Sequence, residues 1–325
     1  MSRRRTLLSI VIPVYCNDAS LRPLHEALGA AAAQHPDVDH EIVFVDDGSE
    51  DGSFATLTAL AAADARTRVV RLTRNFGSHS ACLAGLSVAR GDAVAIIAAD
   101  LQEPPDLPWR MLARWSPETP VVLATRRSRE DDWRQQLFAN LYHGVMRRLA
   151  LPRWPSRGFD CFLADRRVVD HINAFHETNA SLGGLVLWTG FGFAAVDYDR
   201  VRRPFGRGRW TLAKRVKLFI DSIVSFSYAP IRVMSAVGVL LGLVGFAYAA
   251  AILVRYFTVG PEVTGWSSLM AALMVVSGVQ LVALGVLGEY VWRALDAARG
   301  RPRFIIGETR NVGEEPARPA AAERR

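Results

Sequence analysis

Two long uncharged runs near the C-terminus constrain this 325-residue chain more than any other feature. The first run covers Val233–Val254 and the second covers Val263–Gly288. With a rise of about 1.5 Å per residue, either run forms a helix that spans the roughly 30 Å hydrocarbon core of a bilayer. Buried core helices are the alternative, but a soluble domain rarely needs two such runs joined by a short loop. We therefore predict membrane-spanning helices at residues 232–255 and 263–290.

Basic residues on the flanks of these runs predict their orientation. Lysines and arginines precede the first run and follow the second, whereas the charged residues of the connecting loop are Arg255 and Glu262. Because short segments rich in lysine and arginine remain cytoplasmic, we expect both termini and the N-terminal domain in the cytoplasm. The basic flanks comprise Arg207, Arg209, Lys214, Arg215, Lys217 and Arg232 before the first run, and Arg293, Arg299, Arg301 and Arg303 after the second.

Residues 206–231 predict amphipathic helices between the N-terminal domain and the first span. Apolar residues recur there at helical spacing, opposite charged residues. Such a helix lies on an anionic lipid surface, although an ordinary packing helix gives the same pattern and both descriptions can hold. The apolar residues are Leu212, Val216, Phe219, Ile223 and Phe226, and the charged residues are Lys214, Lys217 and Asp221.

Residues 7–205 predict an α/β domain. Short β-branched runs alternate there with Ala-rich helical stretches, a rhythm typical of βαβ units around a mostly parallel sheet. The loops that follow the strand ends of such a sheet bind ligands. We expect residues 1–6 to be a flexible N-terminus and residues 291–325 a cytoplasmic tail, disordered from Glu314. The predicted strands are Leu8–Pro13, Glu41–Val45, Val69–Leu72, Ala93–Ala98 and Val121–Ala124.

Net charge, cysteine content and the missing motifs limit the kinds of partner and site but do not identify the partner. The formal net charge of +7 suits nucleic acid, acidic lipid or a polyphosphate substrate. Cys16, Cys82 and Cys161 are odd in number and far apart, which disfavours a disulfide framework or a zinc site and predicts reduced thiols in a cytosolic compartment. The sequence contains no Gly-rich Walker or Rossmann fingerprint, and His79 and His143 have no acid and nucleophile near them in sequence.

Two adjacent carboxylates, Asp46 and Asp47, end the second predicted strand beside a glycine. This arrangement suits hydrogen bonds to the base and ribose of a nucleotide. Aspartate and glycine also favour turns for purely conformational reasons. The pattern by itself therefore leaves a structural turn open.

The fourth predicted strand leads into Asp100, Gln102 and Glu103, whose oxygens are the hard ligands that Mg²⁺ or Mn²⁺ accepts. A divalent ion here would bridge a diphosphate and stabilise its departure. A helix N-terminus, with proline at its start and acids in its first turn, explains residues 103–106 well. It does not explain Asp100 and Gln102.

Five short motifs follow one another along the chain: Ile12-Pro-Val-Tyr15, Val45-Asp-Asp-Gly-Ser49, Arg74-Asn-Phe-Gly77, Ala99-Asp-Leu-Gln-Glu-Pro-Pro105 and Phe205-Gly-Arg-Gly-Arg-Trp-Thr211. In this order and spacing they resemble glycosyltransferase family 2, in particular its polyprenyl-phosphate glycosyltransferase branch. Each motif is modest alone, but their ordered conjunction is specific. The resemblance covers nearly the whole chain, including the two uncharged runs.

The resemblance implies a GT-A fold, a nucleotide-sugar donor linked to UDP or GDP, Mg²⁺ or Mn²⁺ as cofactor, and a polyprenyl-phosphate acceptor at a bacterial inner membrane. Membrane lipid is then an expected partner and nucleic acid is not. By analogy the sugar is glucose from UDP-glucose, with mannose, a hexosamine or an aminoarabinose-type sugar open. Gly238, Gly242 and Gly245, at close helical spacing, admit a homo-oligomer.

Carried over to this chain, the nucleotide-binding positions of the family are Pro13, Tyr15 and Asp47, with Asp46 beside them. The usual Tyr-Asn-Glu of the family has one extra residue after Tyr15 here, which leaves the role of Asp18 open.

The metal ligands implied by the resemblance are Asp100 and Gln102. The family usually has a further acid two residues before Asp100, where this chain has Ala98. Metal binding would then rest on Asp100, Gln102 and the donor diphosphate, or be weaker.

The resemblance also places catalytic groups around the sugar and the phosphates. Asp160 matches an active-site aspartate, which we expect to orient the sugar or an arginine more readily than to abstract a proton, with base catalysis still open. Arg126 and Arg129 fall where the family places arginines near phosphates. Arg203 and Arg209 match basic residues near the donor or acceptor phosphate.

Two other functions remain open from the sequence. A processive polysaccharide synthase shares the first motifs but carries Gln-x-x-Arg-Trp, whereas Arg209-Trp210 lacks that glutamine. A non-catalytic membrane scaffold that binds nucleotide sugar or anionic lipid is compatible with Ala98.

Overall fold

The computed structural model describes residues 5–127, 142–155, 158–177, 181–201, 204, 219, 221–259 and 265–313. Three predicted site residues, Arg129, Arg203 and Arg209, lie outside the described residues. So do most of the predicted amphipathic segment and the tail from Glu314.

Eight described strands form one sheet: β1 Thr6–Val14, β2 Val38–Asp46, β3 Thr67–Leu72, β4 Ala93–Ile96, β5 Val121–Arg126, β6 Cys161–Asp165, β7 Phe193–Tyr198 and β8 Ile306–Arg310. Their order in the sheet is β7-β5-β6-β4-β1-β2-β3-β8. The pairs β1–β2, β1–β4, β2–β3 and β5–β7 are parallel. β6 is antiparallel to β4 and β5, and β8 is antiparallel to β3. The predicted mostly parallel α/β sheet is confirmed, with all five predicted strands present and β4 ending at Ile96 rather than Ala98.

The described helices are α1 Asp18–Ala33, α2 Ser53–Ala63, α3 Ser78–Val88, α4 Leu107–Leu112, α5 Arg166–Ala174, α6 Leu182–Trp188, α7 Ala229–Val259 and α8 Trp266–Arg299, with a π-helical turn at Met146–Ala150. α1, α2 and α3 follow β1, β2 and β3 in turn, because parallel neighbouring strands need crossover connections.

The sheet is buried on both faces, which is why its central strands are apolar without alternation. Ile10 and Ile12 of β1 pack on one face with Leu21 of α1. Val11 packs on the other face with Leu86 of α3, and none of these five side chains is exposed. With both faces covered, polar side chains reach the surface at the strand ends.

α7 and α8 are long and apolar enough to cross a membrane. Ala229–Ile252 contains an 18-residue window with a mean hydropathy of 2.1, and Leu269–Arg299 contains one with a mean hydropathy of 2.2. Neither window is buried against the described part of the chain. Phe246 and Phe257, for example, are 78% and 77% exposed. The two helices are therefore not core helices of the domain, and their composition makes the protein membrane-associated.

The chain returns from α8 to the sheet. Gly300 ends α8 with φ +59, a left-handed cap that favours glycine. β8 then pairs with β3 in register Val70↔Thr309, and the Asn311 side-chain amide donates to the Ala61 and Thr67 carbonyls at 2.7 and 2.8 Å. The predicted tail therefore contains the end of α8 and then a strand of the domain's own sheet, which no pattern in the sequence indicated.

A polar junction joins α8 to the helical residues 221–226. Arg293 Nη2 donates to Asp221 Oδ1 at 2.6 Å, and Arg293 Nη1 donates to Ser225 Oγ at 2.9 Å. On the other side of this short helix, Ile223 and Phe226 pack against the core of the domain. For these residues of the predicted amphipathic segment, packing on the domain explains the apolar face.

Candidate active site

Asp46 is the last residue of β2 and is fully buried. Its Oδ1 accepts a hydrogen bond from the Ser49 backbone N–H at 3.1 Å, and its Oδ2 lies 3.4 Å from Arg71 Nε. The carboxylate therefore closes the turn after the strand and is paired with a cation of β3. A contact of Asp46 with a nucleotide stays a prediction.

Asp47 fixes the loop that follows β3. Its Oδ1 accepts from the Phe76 N–H at 2.7 Å and its Oδ2 from the Gly77 N–H at 2.9 Å. Gly48, with φ +70, passes so close to this loop that a Cβ would lie 2.6 Å from the Arg74 carbonyl carbon, so a side chain does not fit there. Burial raises the pKa of Asp47, and the two N–H donors partly offset that effect. The Val45–Ser49 and Arg74–Gly77 motifs are therefore in contact.

Pro13 and Tyr15 lie half-buried at the carboxyl end of β1, at the same edge of the sheet as Asp47. Asp18 opens α1 and accepts a hydrogen bond from Thr56 Oγ1 at 2.6 Å. That contact ties α1 to α2, so in this structure the carboxylate of Asp18 has a packing role. The nucleotide contacts predicted for these residues remain predictions.

Asp100 begins the loop after β4 and is 7% exposed. Its Oδ1 accepts from the Gln102 backbone N–H at 3.3 Å. Between them, Leu101 adopts φ +57, a left-handed conformation that is uncommon for residues other than glycine. This turn reverses the loop at the strand end and holds its polar side chains together.

Gln102 joins the same loop to the segment after β7. Its Oε1 accepts a hydrogen bond from Arg200 Nη2, and its Nε2 donates to the Val201 carbonyl at 3.3 Å. The Val201 N–H also donates to the Gln102 carbonyl at 3.0 Å. Both ends of the Gln102 side chain are thus engaged by protein groups, and its predicted role as a metal ligand is not tested by these contacts.

Glu103 is buried in this loop, with 6% of its surface exposed. Its Oε2 has no hydrogen-bond partner among the described residues. Burial and the nearby Asp100 raise the pKa of Glu103 to about 7, while Arg200 opposes the shift. The first-turn interpretation does not hold for Glu103, because α4 begins at Leu107 with Asp106 as its N-cap.

Arg126 ends β5 and pairs with Asp160, the residue before β6. Arg126 Nη2 donates to Asp160 Oδ1 at 2.8 Å, and Arg126 Nε donates to Asp160 Oδ2. Tyr198, at the end of β7, donates its hydroxyl to the same Oδ2 at 3.0 Å. Burial, together with the charge of Asp160, raises the pKa of Tyr198. The three side chains form one hydrogen-bonded group at the strand ends.

The oxygen donors at this edge of the sheet supply part of the ligand set of a divalent ion. Among the residues that the structure describes, no group of three or more His, Cys, Asp or Glu side chains is arranged to hold a metal. The carboxylate of Asp100 and the unbonded oxygen of Glu103 are nevertheless hard donors. Since Mg²⁺ is typically held by one or two carboxylates together with substrate phosphates and water, the donors present suit an ion completed by a bound diphosphate.

The structure brings together most of the predicted site residues that it describes, and it adds two. Asp100, Gln102, Arg126 and Asp160 share the carboxyl edge of the sheet with Tyr198 and Arg200, neither of which was a candidate from sequence, and with Glu103. Phe193–Tyr198 forms a strand. Charged residues directly after a strand end are a sequence signal that could have identified Arg200 as a site residue.

Comparison with protein-family models places this site in a known family. The model for glycosyl transferase family 2 matches residues 9–173, about half of the chain. The chain belongs to glycosyltransferase family 2. The model for the GtrB C-terminal hairpin matches residues 229–293 of this glycosyltransferase. The GT-A fold and the prediction of an enzyme are thereby confirmed.

Curated relatives extend over nearly the whole glycosyltransferase. An uncharacterized glycosyltransferase of Synechocystis sp. is 35% identical over 302 residues, 93% of this chain and 95% of the relative. The uncharacterized glycosyltransferase YkcC of Bacillus subtilis is 34% identical over 310 residues, 95% of this chain and 96% of the relative. An SfII prophage-derived bactoprenol glucosyl transferase of Shigella flexneri is 32% identical over 300 residues, 92% of this chain and 97% of the relative.

Among solved structures, the mannosyltransferase PcManGT of Pyrobaculum calidifontis, in complex with GDP-Man and Mn²⁺, aligns with 91% of this chain and 86% of its own. The identity is 15% and the TM-score 0.44.

Proposed function

We propose that this glycosyltransferase moves a sugar from a nucleotide sugar to the phosphate of a polyprenyl phosphate, at the cytoplasmic face of a bacterial inner membrane. The observation that carries the proposal is the position of the apolar hairpin within the chain. α7 and α8 leave the catalytic domain after residue 227, and β8 returns to the sheet of that domain. A polyprenyl tail stays in the bilayer, so only an enzyme fixed at the membrane surface meets its phosphate.

The comparisons support the acceptor. The hairpin belongs to a family model named for GtrB, and the Shigella relative, named a bactoprenol glucosyl transferase, aligns with nearly all of both chains. From the same relative we infer glucose as the sugar and UDP-glucose as the donor. The flanking arginines and lysines support a two-span anchor with both termini cytoplasmic.

The proposed reaction forms a bond from the anomeric carbon to a phosphate oxygen of the acceptor. It breaks the bond from that carbon to the donor diphosphate, with inversion. The attacking oxygen is already anionic near neutral pH, so a strong general base is not required. The site must instead hold two anionic partners together and position them.

Two arginines of this chain suit that task. Arg126 is held by Asp160 through two hydrogen bonds, and Arg200 is held by Gln102. A guanidinium fixed in this way is already oriented for a phosphate, so less rotamer freedom is lost on binding. Both oxygens of Asp160 accept hydrogen bonds from Arg126 and Tyr198, which favours an orienting role for Asp160 over proton abstraction.

A bound Mg²⁺ or Mn²⁺ would neutralise the charge that develops on the leaving diphosphate. Asp100, at the strand end beside the arginines, would hold it. Asp47 and Gly48 keep the neighbouring loop close to the strand ends, which shapes the space for the nucleotide.

To test this function, labelled nucleotide sugars are added to the full-length protein together with polyprenyl phosphate and Mg²⁺ or Mn²⁺, and the label in the lipid phase is measured. We expect UDP-glucose to place label in the lipid phase with release of an equal amount of UDP. Asp100→Ala should abolish transfer, whereas Glu118→Gln, an exposed acid at the opposite edge of the sheet, should leave it unchanged. Absence of lipid-phase label from every donor would refute the proposal.

A further inference from the structure

We propose that Glu103 supplies the second carboxylate of a divalent-metal site with Asp100, replacing the acid that the family carries at the position of Ala98. The inference rests on the proposed function in one respect, namely that the ion accompanies a nucleotide diphosphate. It changes the ligand set implied by the family resemblance, in which Gln102 is the second ligand.

The loop geometry places Glu103 beside Asp100. An extended chain would carry residues 100 and 103 about 10 Å apart. The left-handed turn at Leu101 reverses the chain between them, and the Gln102 N–H bond to Asp100 Oδ1 at 3.3 Å closes that turn. Glu103 is consequently drawn into the sheet edge instead of pointing to solvent, and 6% of its surface remains exposed.

Among the described residues, the cation that acts on Glu103 is Arg200, and no donor bonds the second oxygen of its carboxylate. Its Oε2 is buried and has no hydrogen-bond partner among the described residues. Asp100 and Asp160 are close enough to act on it electrostatically, and Arg200, the opposing cation, already donates to Gln102. A buried carboxylate oxygen without a donor is costly, and a cation placed between it and Asp100 removes that cost.

Gln102 has a different role in this arrangement. Its amide oxygen accepts from Arg200 and its amide nitrogen donates to the Val201 carbonyl. We assign Gln102 as a positioning residue that orients Arg200 toward the phosphates, while its neighbour Glu103 faces the ion.

The small number of protein ligands makes binding of the ion depend on the nucleotide. Two carboxylates are too few to fill the octahedral shell of Mg²⁺ or Mn²⁺, so phosphate oxygens and water must complete it. The metal should therefore bind weakly to the protein alone and tightly in the presence of a nucleoside diphosphate.

The experiment measures Mn²⁺ binding by electron paramagnetic resonance, using the full-length protein in detergent without acceptor. UDP is present in one arm and GDP in the other. Glu103→Gln, which is nearly isosteric, should weaken nucleotide-dependent Mn²⁺ binding by at least about tenfold while leaving the unfolding temperature of the metal-free protein unchanged or higher. Glu118→Gln is the matched control, and the double variant A98D/E103Q should restore binding. Glu103→Met gives a second variant should the glutamine variant fail to fold.

Two results would overturn the proposal. One is wild-type Mn²⁺ affinity in folded Glu103→Gln and Glu103→Met proteins, and the other is no nucleotide-dependent Mn²⁺ binding by the wild type with either nucleotide. Because no acceptor is present, the outcome is independent of sugar transfer. A protein that binds Mn²⁺ through Glu103 but labels no lipid would refute the proposed function and keep the metal site.

Discussion

Arg126, the last residue of β5, and Asp160, the residue before β6, form a two-point ion pair, with Arg126 Nη2 at 2.8 Å from Asp160 Oδ1. Tyr198 adds a third contact from β7. Three strands therefore hold one guanidinium in place, and the pair is only partly exposed, at 19% for the arginine side chain and 34% for the aspartate. Asp160 therefore holds the guanidinium of Arg126 in position. Replacing Asp160 should lower activity because Arg126 is then no longer held there.

Asp160→Asn should lower kcat by about tenfold to a hundredfold, below the range typical when a general base is removed. The pH dependence of kcat should keep its shape, because the asparagine still accepts one hydrogen bond and no titrating base is lost. Asp199→Asn serves as the control, since Asp199 forms an exposed pair with Arg127 and should change little. A larger loss in Asp160→Asn that also removes the acidic limb of the profile would establish Asp160 as the base.

Glu103 should make the metal-free protein less stable as the pH rises. Its pKa is raised from 4.5 to about 7 in the folded state, so between these values the folded protein binds more protons than the unfolded chain. Stability therefore falls as the pH rises through this window, by about 3 kcal/mol in total.

Thermal unfolding of the wild type and Glu103→Gln, compared at pH 4.5 and pH 8, measures this effect. The wild type should lose stability relative to the variant at the higher pH, and Mn²⁺ with nucleotide should reverse the loss. Parallel pH curves for the two proteins would contradict it.

Asp221 and Arg293 should stabilise the junction between the catalytic domain and α8. The pair is mostly buried, with side-chain exposures of 17% and 14%. Asp221→Asn should cost about 2 kcal/mol, between the values for exposed and fully buried pairs. The matched control is Asp39→Asn, because the Arg5–Asp39 pair has exposures of 62% and 58% and should contribute below about 0.5 kcal/mol. A double variant with Arg293→Gln should lose less than the sum of the single losses.

Asn311 should anchor β8 to the domain. Its amide donates to two carbonyls, at Ala61 and Thr67, so Asn311→Ala should destabilise the domain by about 1–2 kcal/mol. Glu308→Gln in β8 is the control, since Glu308 is partly exposed and paired with Arg310 of the same strand. Thermal unfolding of the detergent-solubilised protein measures the difference, and equal unfolding temperatures for the two variants would refute the anchoring role.

Orientation in the membrane is tested with single cysteines in a cysteine-free background. Glu262→Cys, in the loop between the helices, should react with a membrane-impermeant maleimide added to intact spheroplasts. Arg301→Cys, after the second helix, should react only once the membrane is opened. The reverse pattern would place the catalytic domain outside the cytoplasm.

The central strands and the motifs at their ends could be predicted because both signals are local. β1 to β5 are apolar runs that lead into polar residues, and the ends of parallel strands place such side chains at one edge of the sheet. The burial of Glu103 depends instead on a left-handed turn at Leu101 and on the contacts of its neighbour Gln102 with Val201, which is distant in sequence. Contacts between residues that are distant in the chain leave no periodic pattern in the sequence.

β8 was missed for a similar reason. Its sequence Ile-Gly-Glu-Thr-Arg has a glycine and little alternation, and its partner β3 lies on the far side of the hairpin in sequence. Long-range antiparallel pairing of a short edge strand is fixed by its neighbours rather than by its own residues.

The return of β8 to the sheet also has a consequence for biosynthesis. The ribosome releases β1 to β7 before the hairpin and β8 only after it, so the edge of β3 stays unpaired while α7 and α8 are made. An open strand edge is prone to wrong pairing. The edge of the catalytic sheet is therefore closed by β8 only after both apolar helices have been synthesised.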